Sequence, residues 1–114
     1  MNGDITAFST SLSSDIKLKE NVVVVNDALE KVSKLNGVTF DWKKNGKASA
    51  GVIAQNVEEV MPELVNEATG LNNTESHKVV DYNGLSALFI EAIKELKDQN
   101  ELLRAEIEEL KANK

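Results

Sequence analysis

Cysteine is absent from the 114-residue sequence, and this excludes disulfide bonds, thiolate metal sites and a catalytic cysteine. The one histidine, His77, lies in the polar run NNTESHK, which is typical of a solvated loop and supplies no further ligands for a metal ion. We therefore expect no metal site and no cofactor in this chain.

Long apolar runs and basic clusters are also missing. No apolar run approaches the roughly 20 residues needed to span a bilayer, and the N-terminus lacks the basic-then-apolar order of a secretory signal. The net charge is −6, from 19 acidic against 13 basic residues, and the basic residues form no patch that could follow a phosphate backbone. We predict a soluble protein that binds neither a membrane nor nucleic acid.

The chain is long enough for one modest domain, whose own core must be small. Oligomerisation is a natural way for such a chain to bury more apolar surface. Residues 1–13 (MNGDITAFSTSLS) are small and polar without a sustained period, so we predict a stub of an upstream segment. Residues 14–82 are predicted to form a head, and residues 83–114 a long helix.

The head shows the mixed signals of an α+β fold, with short helices and β-hairpins. In NDALEKVSKLNG, Asn26 is a plausible N-cap of a short helix and Gly37 follows as a stop. Asn45-Gly46 predicts a two-residue hairpin turn, because both positions tolerate positive φ. A second short helix is predicted with Asn56 as its cap and Pro62 closing it, before a loop (TGLNNTESH) and a strand (KVVDY).

The C-terminal segment carries the clearest pattern in the sequence. Starting near Asn83, about 30 residues form a rod of roughly 45 Å at 1.5 Å per residue, since Gly and Pro are missing after its first turn. Apolar residues recur at alternating spacings of three and four, as in a coiled coil. The predicted seam has Phe89, Leu96, Leu103 and Leu110 at d, and Ile93, Asn100 and Ile107 at a.

Charges beside this seam favour parallel self-association. Gln99 and Glu106 occupy g positions, and each faces a basic e residue, Arg104 or Lys111, of a neighbouring parallel helix. By peptide rules alone, Ile at a, Leu at d and the single Asn100 favour two strands. The alternative is one long amphipathic helix packed on its own domain.

Five strings of the sequence together resemble one known family, the C-terminal intramolecular chaperone domain of bacteriophage tail spikes, tail fibres and neck appendages. They are SDIKLKEN, LEKVSKLNGVTFDW, GVIAQNVEEVMPELV, KVVDYNGL and LFIEAIKEL, and they run from about Ser13 to Leu96. The resemblance implies a homotrimer with a parallel trimeric coiled coil. It implies that the domain assists the folding and trimerisation of the upstream fibre or spike of the same chain, and then releases itself by serine-dependent autoproteolysis.

The resemblance also implies where such a protein is found. It would be the precursor of a virion tail component, made in the cytoplasm of the host bacterium. The released domain would not be kept in the mature particle.

The chemistry that the resemblance implies falls in the stretch SSDIKLKEN. Ser14 would be the nucleophile, the bond between Ser13 and Ser14 the one that is cut, and Lys19 the general base, with one turnover per chain. A serine hydroxyl needs such a base, and a lysine can serve once loss of solvent lowers its pKa. Asp15 and Lys17 are possible supporting residues, although the family more often has arginine at the position of Lys17.

An oxyanion hole must come from another part of the chain. Near GVIAQN, Gly51 allows close approach of the backbone, and Gln55 or Asn56 offers a side-chain amide. Without the resemblance, SSDIKLKE is typical of a helix N-terminus capped by Ser14 or Asp15, with solvated lysines. Two other functions stay open, a permanent non-cleaving homotrimerisation module and a coiled-coil adaptor for a different protein.

Overall fold

A computed structural model describes residues 11–69 and 75–113 of the chain. Its helices are α1 (Ala28–Ser33), α2 (Ala54–Val60) and α3 (Tyr82–Ala112), and its strands are β1 (Val38–Asp41), β2 (Ala48–Gly51), β3 (Val65–Thr69) and β4 (Ser76–Val80). Two short 3-10 turns cover Ile16–Leu18 and Pro62–Leu64. The predicted α+β head with a long C-terminal helix is confirmed. Residues 1–10 of the predicted stub, residues 70–74 of the predicted loop and residue 114 lie outside the described residues.

Two antiparallel hairpins form separate two-stranded sheets in the head. β1 pairs with β2, so that Val38 lies opposite Gly51, and β3 pairs with β4, so that Val65 lies opposite Val80. The sequence predicted the first hairpin and a strand at residues 78–82, whereas β4 begins two residues earlier and ends at Val80. His77 therefore lies on β4 and not in the predicted loop. The sequence did not predict β3.

The loop of the first hairpin is longer than the sequence predicted. The amide of Trp42 donates to the carbonyl of Lys47 at 2.9 Å, which leaves residues 43–46 as a four-residue loop instead of a two-residue turn. Gly46 has a φ of +72°, as predicted for a turn glycine. Asn45 serves the turn through its side chain, which accepts a hydrogen bond from the amide of Lys47 at 3.0 Å.

The two short helices begin at other residues than predicted. α1 follows Asp27, not Asn26, and α2 follows Ile53. Asn56 therefore lies inside α2 and does not cap it. Its side chain instead accepts from the amide of Asn36 and donates to the carbonyl of Lys34, both at 3.0 Å, and so ties α2 to the end of α1.

The core of the head is small and centres on the first turns of α3. Seven apolar side chains are buried among the described residues, and they come from α1, α2, the turns around Pro62 and α3: Ala28, Val57, Met61, Leu64, Leu85, Leu88 and Ala92. α1 packs along α3, with Ala28 and Leu88 fully buried. This core is what fixes the start of the long helix relative to the head.

α3 has 31 residues, which corresponds to roughly 46 Å at 1.5 Å per residue. It begins at Tyr82, one residue before the predicted start, because Asp81 caps it by accepting from the amide of Gly84 at 3.1 Å. Its first turns bury Leu85, Leu88 and Ala92, whereas no residue of the described chain from Ile93 onward is buried. Within the two described stretches, no helix combines the length and apolar character needed to cross a membrane.

Gly84 marks a close contact between α3 and the turn before β3. A Cβ built at this position would collide with Cδ2 of Leu64, a side chain that is 8% exposed and has little room to move. We expect Gly84→Ala to destabilise the protein by about 1–2 kcal/mol, since overpacking outweighs the gain in helix propensity. The measurement is urea unfolding at matched protomer concentration.

Gly37 provides the control for this prediction. A Cβ at Gly37 meets no atom within 4 Å. Gly37→Ala should therefore leave the free energy of unfolding close to that of the wild type. A Gly84→Ala protein as stable as the Gly37→Ala protein would contradict the proposed close contact.

Candidate functional site

Ser14 and Lys19 flank the 3-10 turn at Ile16–Leu18, and this turn brings their side chains together. Lys19 Nζ donates a hydrogen bond to Ser14 Oγ at 2.7 Å. Asp15 caps the turn, because its Oδ1 accepts from the amide of Lys17 at 2.9 Å. Asp15 thus caps a three-residue 3-10 turn and not the helix that SSDIKLKE alone would predict. Lys19 contacts Ser14, as the resemblance implies.

The residues around this pair keep the turn closed. The amide of Leu18 donates to the carbonyl of Asp15, and the amide of Lys19 donates to that of Ile16, both at 3.0 Å. Lys17 Nζ lies 4.0 Å from a carboxylate oxygen of Asp15, at the limit of an exposed ion pair. Asp15 therefore supports the pair through the backbone of the turn, and Lys17 adds little in the single chain.

The segment that carries this pair, residues 11–27, is called the leader below. Ser14 and Lys19 are exposed. Six apolar side chains of the leader are also at least 65% exposed: Leu12, Ile16, Leu18, Val22, Val23 and Val24. The single chain thus presents an apolar surface to water directly beside the serine and the lysine.

The three residues predicted as oxyanion donors lie on the hairpin and on α2. Gly51 ends β2 against Tyr82, whose hydroxyl would lie 2.9 Å from a Cβ at this position. Gln55 is exposed and lines an apolar groove with Trp42, and Asn56 uses its amide for Asn36 and Lys34. Their role as oxyanion donors stays a prediction.

Glu95 makes a contact that the sequence did not predict. Its two carboxylate oxygens accept from the amides of Ala28 and Leu29, each at 2.9 Å, across 66 and 67 residues of sequence. These two backbone hydrogen bonds, to Leu29 first and then to Ala28, hold the pKa of Glu95 below its usual value, and the charge of Lys31 adds to the effect. A glutamate on a helical face otherwise resembles any solvated acid, so the sequence carries no signal for this contact.

The predicted seam forms an uncovered apolar stripe along α3. Its six apolar residues are between 43% and 68% exposed: Phe89, Ile93, Leu96, Leu103, Ile107 and Leu110. Asn100 interrupts the stripe at its middle.

In the described parts of the chain, no group of three or more His, Asp or Glu side chains could hold a metal ion.

Comparison with known families identifies the head. The family model described as chaperone of endosialidase matches residues 14–66, which run from Ser14 into β3. Residues 14–66 are therefore similar to the chaperone of endosialidase family. The family model is named as that of a peptidase. The boundary of the chaperone of endosialidase match coincides with Ser14, the predicted nucleophile.

Relatives of the chain are phage tail fibre proteins. The long tail fiber protein Gp37 of Enterobacteria phage K3 is 34% identical over 108 residues, which cover 83% of this chain and 8% of that protein. Gp37 of Enterobacteria phage T2 gives the same values, and Gp37 of Salmonella phage S16 is 32% identical over 96% of this chain and 15% of its own length. The chain thus spans less than a tenth of the first two relatives.

Proposed function

We propose that this chain is a self-releasing assembly clamp for a phage tail fibre. Three copies associate in parallel through α3 and assist the trimerisation and folding of the upstream fibre of the same chain. The clamp then cuts the bond between Ser13 and Ser14 and leaves the fibre. The match to the chaperone of endosialidase family and the tail fibre relatives support the assembly role.

The main support for the proposal is that the family match and the serine–lysine contact meet at the same residue. The family match begins at Ser14, and Ser14 is the residue whose hydroxyl lies 2.7 Å from a lysine amine. A cut directly before Ser14 would separate the family domain from everything upstream. The position of the match and the geometry of the side chains therefore support the same bond.

The exposed apolar surfaces support self-association. The seam on α3 and Val22, Val23 and Val24 of the leader are uncovered in the single chain. Burial of apolar area contributes roughly 25 cal/mol per Å², so a second and third copy on these surfaces would add stability that the small core lacks. We favour three strands over two because the leader and the head would add interface that an isolated zipper lacks.

The proposed reaction is an acyl transfer within one chain, followed by hydrolysis. The neutral amine of Lys19 takes the hydroxyl proton of Ser14, and Oγ attacks the carbonyl carbon of Ser13. The C–N bond breaks, the proton passes to the amide nitrogen, and an ester links Ser13 to Oγ. Water then cleaves the ester, which leaves a carboxylate on Ser13 and a free amino group on Ser14.

The function as a clamp is tested by removing the domain from the fibre. We expect a tail fibre segment made with this chain to fold as a soluble trimer, and the same segment made without residues 14–114 to aggregate or stay monomeric. The measurement is the yield of soluble trimer by sedimentation, with intact mass recorded on the same samples. Equal yields from both proteins would contradict the assembly role.

The alternative is a permanent trimerisation module. It is favoured by one observation, the exposure of Ser14 and Lys19 to solvent in the single chain. A soluble trimer whose mass never changes on long incubation would support this alternative over self-release.

A further inference from the structure

α1 begins without a cap of its own. Its N-cap residue, Asp27, has a φ of +50° and a ψ of +38°, a left-handed conformation that non-glycine residues adopt at a cost. The Asp27 side chain makes no capping hydrogen bond. The first backbone amides of α1 would therefore lack a partner inside the helix.

Glu95 of α3 supplies the missing cap. Its Oε2 accepts from the amide of Ala28 and its Oε1 from the amide of Leu29, each at 2.9 Å. Ala28 is fully buried, so water cannot readily replace the carboxylate at this place. The depressed pKa of Glu95 keeps the group ionised at neutral pH. Lys31 of α1 is the cation that acts on it.

Glu95 lies on the face of α3 that holds the head. Leu85, Leu88, Ala92 and Glu95 follow one another at spacings of three and four, and the first three are buried against the head. At about 100° per residue, the seam residue Ile93 lies roughly a quarter of a turn from Ala92, and the seam residue Leu96 roughly a quarter of a turn from Glu95. Glu95 therefore holds α1 at the level of the seam residues Ile93 and Leu96.

α1 in turn holds the end of the leader. Only residues 20–27 separate Lys19 from Ala28, and their backbone can span at most about 28 Å. The fastening at Ala28 thus limits where the leader can lie relative to the seam. A neighbouring copy that packs on the seam would meet the leader within this distance of Ala28.

We propose that Glu95 is a positioning residue for self-cleavage, which fastens the leader to α3 so that association along the seam sets Ser14 and Lys19 in their reacting arrangement. This inference rests on the proposed function. Glu95 does not touch the reacting atoms, and it acts through α1 and the leader. Loss of the fastening leaves a chain that still associates through the seam but cuts slowly.

The test measures self-cleavage at equal folding and assembly. The chain with its natural upstream fibre is made as wild type, Glu95→Ala and Glu95→Gln, and cleavage is followed by intact mass. The temperature is chosen so that sedimentation shows the same oligomer for all. We expect Glu95→Ala to cut about 10- to 100-fold more slowly, the size of effect that follows from misplacing reacting groups by roughly 1 Å. Glu95→Gln keeps one acceptor oxygen and should cut at an intermediate rate.

Two controls separate positioning from general stability. Glu91→Ala removes another acid of α3, whose carboxylate pairs with Lys94 of the same helix at 3.2 Å. Val57→Ala weakens the buried core without touching the cap. Both should cut at the wild-type rate when folded, although Val57→Ala melts at a lower temperature.

The outcomes distinguish this inference from the function on which it rests. A wild type that cuts alongside an equally fast Glu95→Ala chain would overturn the positioning role alone. The same holds if Val57→Ala slows cleavage as much as Glu95→Ala, or if Glu95→Gln recovers nothing. A wild type that never cuts would overturn the self-release function and this inference together.

Discussion

Replacement of Ser14 by alanine is expected to leave a chain that carries its upstream fibre uncut, whereas the wild type loses everything before Ser14. The alanine chain lacks the nucleophile, so no ester can form with the carbonyl of Ser13. Replacement of Lys19 by alanine removes the base whose amine lies 2.7 Å from the hydroxyl, and should slow cleavage by roughly 10²- to 10⁴-fold. Intact mass against time measures both effects.

Matched substitutions show whether these effects are specific. Ser33→Ala removes a serine whose hydroxyl bonds to the carbonyl of Glu30 in its own helix, and Lys44→Ala removes an exposed lysine of the hairpin loop. Both chains should cut at the wild-type rate. If Ser14→Ala is released at the same bond as the wild type, the nucleophile has been assigned wrongly.

The second large effect is expected at the seam. Leu103 and Leu102 are neighbours on α3 and are similarly exposed, at 55% and 62%, but only Leu103 lies at a predicted d position. Leu103→Asp should convert the trimer to monomers, because each copy loses about 1.5–3 kcal/mol of leucine burial and gains a carboxylate in an apolar seam. Over three copies this weakens association by more than roughly 10³-fold.

Leu102→Asp is the matched control, since it places the same charge on the outer side of the same turn. Sedimentation equilibrium should find it trimeric at concentrations where Leu103→Asp is monomeric. If both substitutions dissociate the protein, or neither does, the seam lies elsewhere on α3. A wild type that sediments as a dimer would contradict the proposed trimer and agree with the two strands that Asn100 favours by peptide rules.

The features that the sequence predicted correctly are those encoded by neighbouring residues. The long helix is encoded by an unbroken run of good helix formers with a cap at Asp81, and the first hairpin by a glycine that needs positive φ. The predicted length of the hairpin loop was wrong. The side chain of Asn45 accepts from the amide of Lys47, and the last backbone hydrogen bond of the hairpin joins Trp42 to Lys47. β3 was missed because Pro62 and Glu63 look like the end of a helix, and VNEAT alone has no clean alternation.

The contacts of the candidate site also differ in how far apart the partners lie in the sequence. Ser14 and Lys19 are five residues apart, and a single 3-10 turn joins them, so their contact depends on neighbouring residues alone. Their roles as nucleophile and base, which the resemblance implies, stay predictions. Asn56 and Glu95 were misread or missed because their partners lie 20 residues or more away in the sequence. Such partners are chosen by packing of the core, and no pattern near either residue encodes them.

The contact between Glu95 and α1 can form only after Glu95 has been synthesised, well after α1. A ribosome adds about 5–20 residues per second, so Glu95 follows Ala28, 67 residues earlier, by roughly 3–13 seconds. Until then α1 lacks the cap that fastens it, and the leader emerges with nothing to hold it. An upstream segment has by then left the ribosome whole. A self-cleavage reaction that needs this contact therefore cannot precede the synthesis of Glu95.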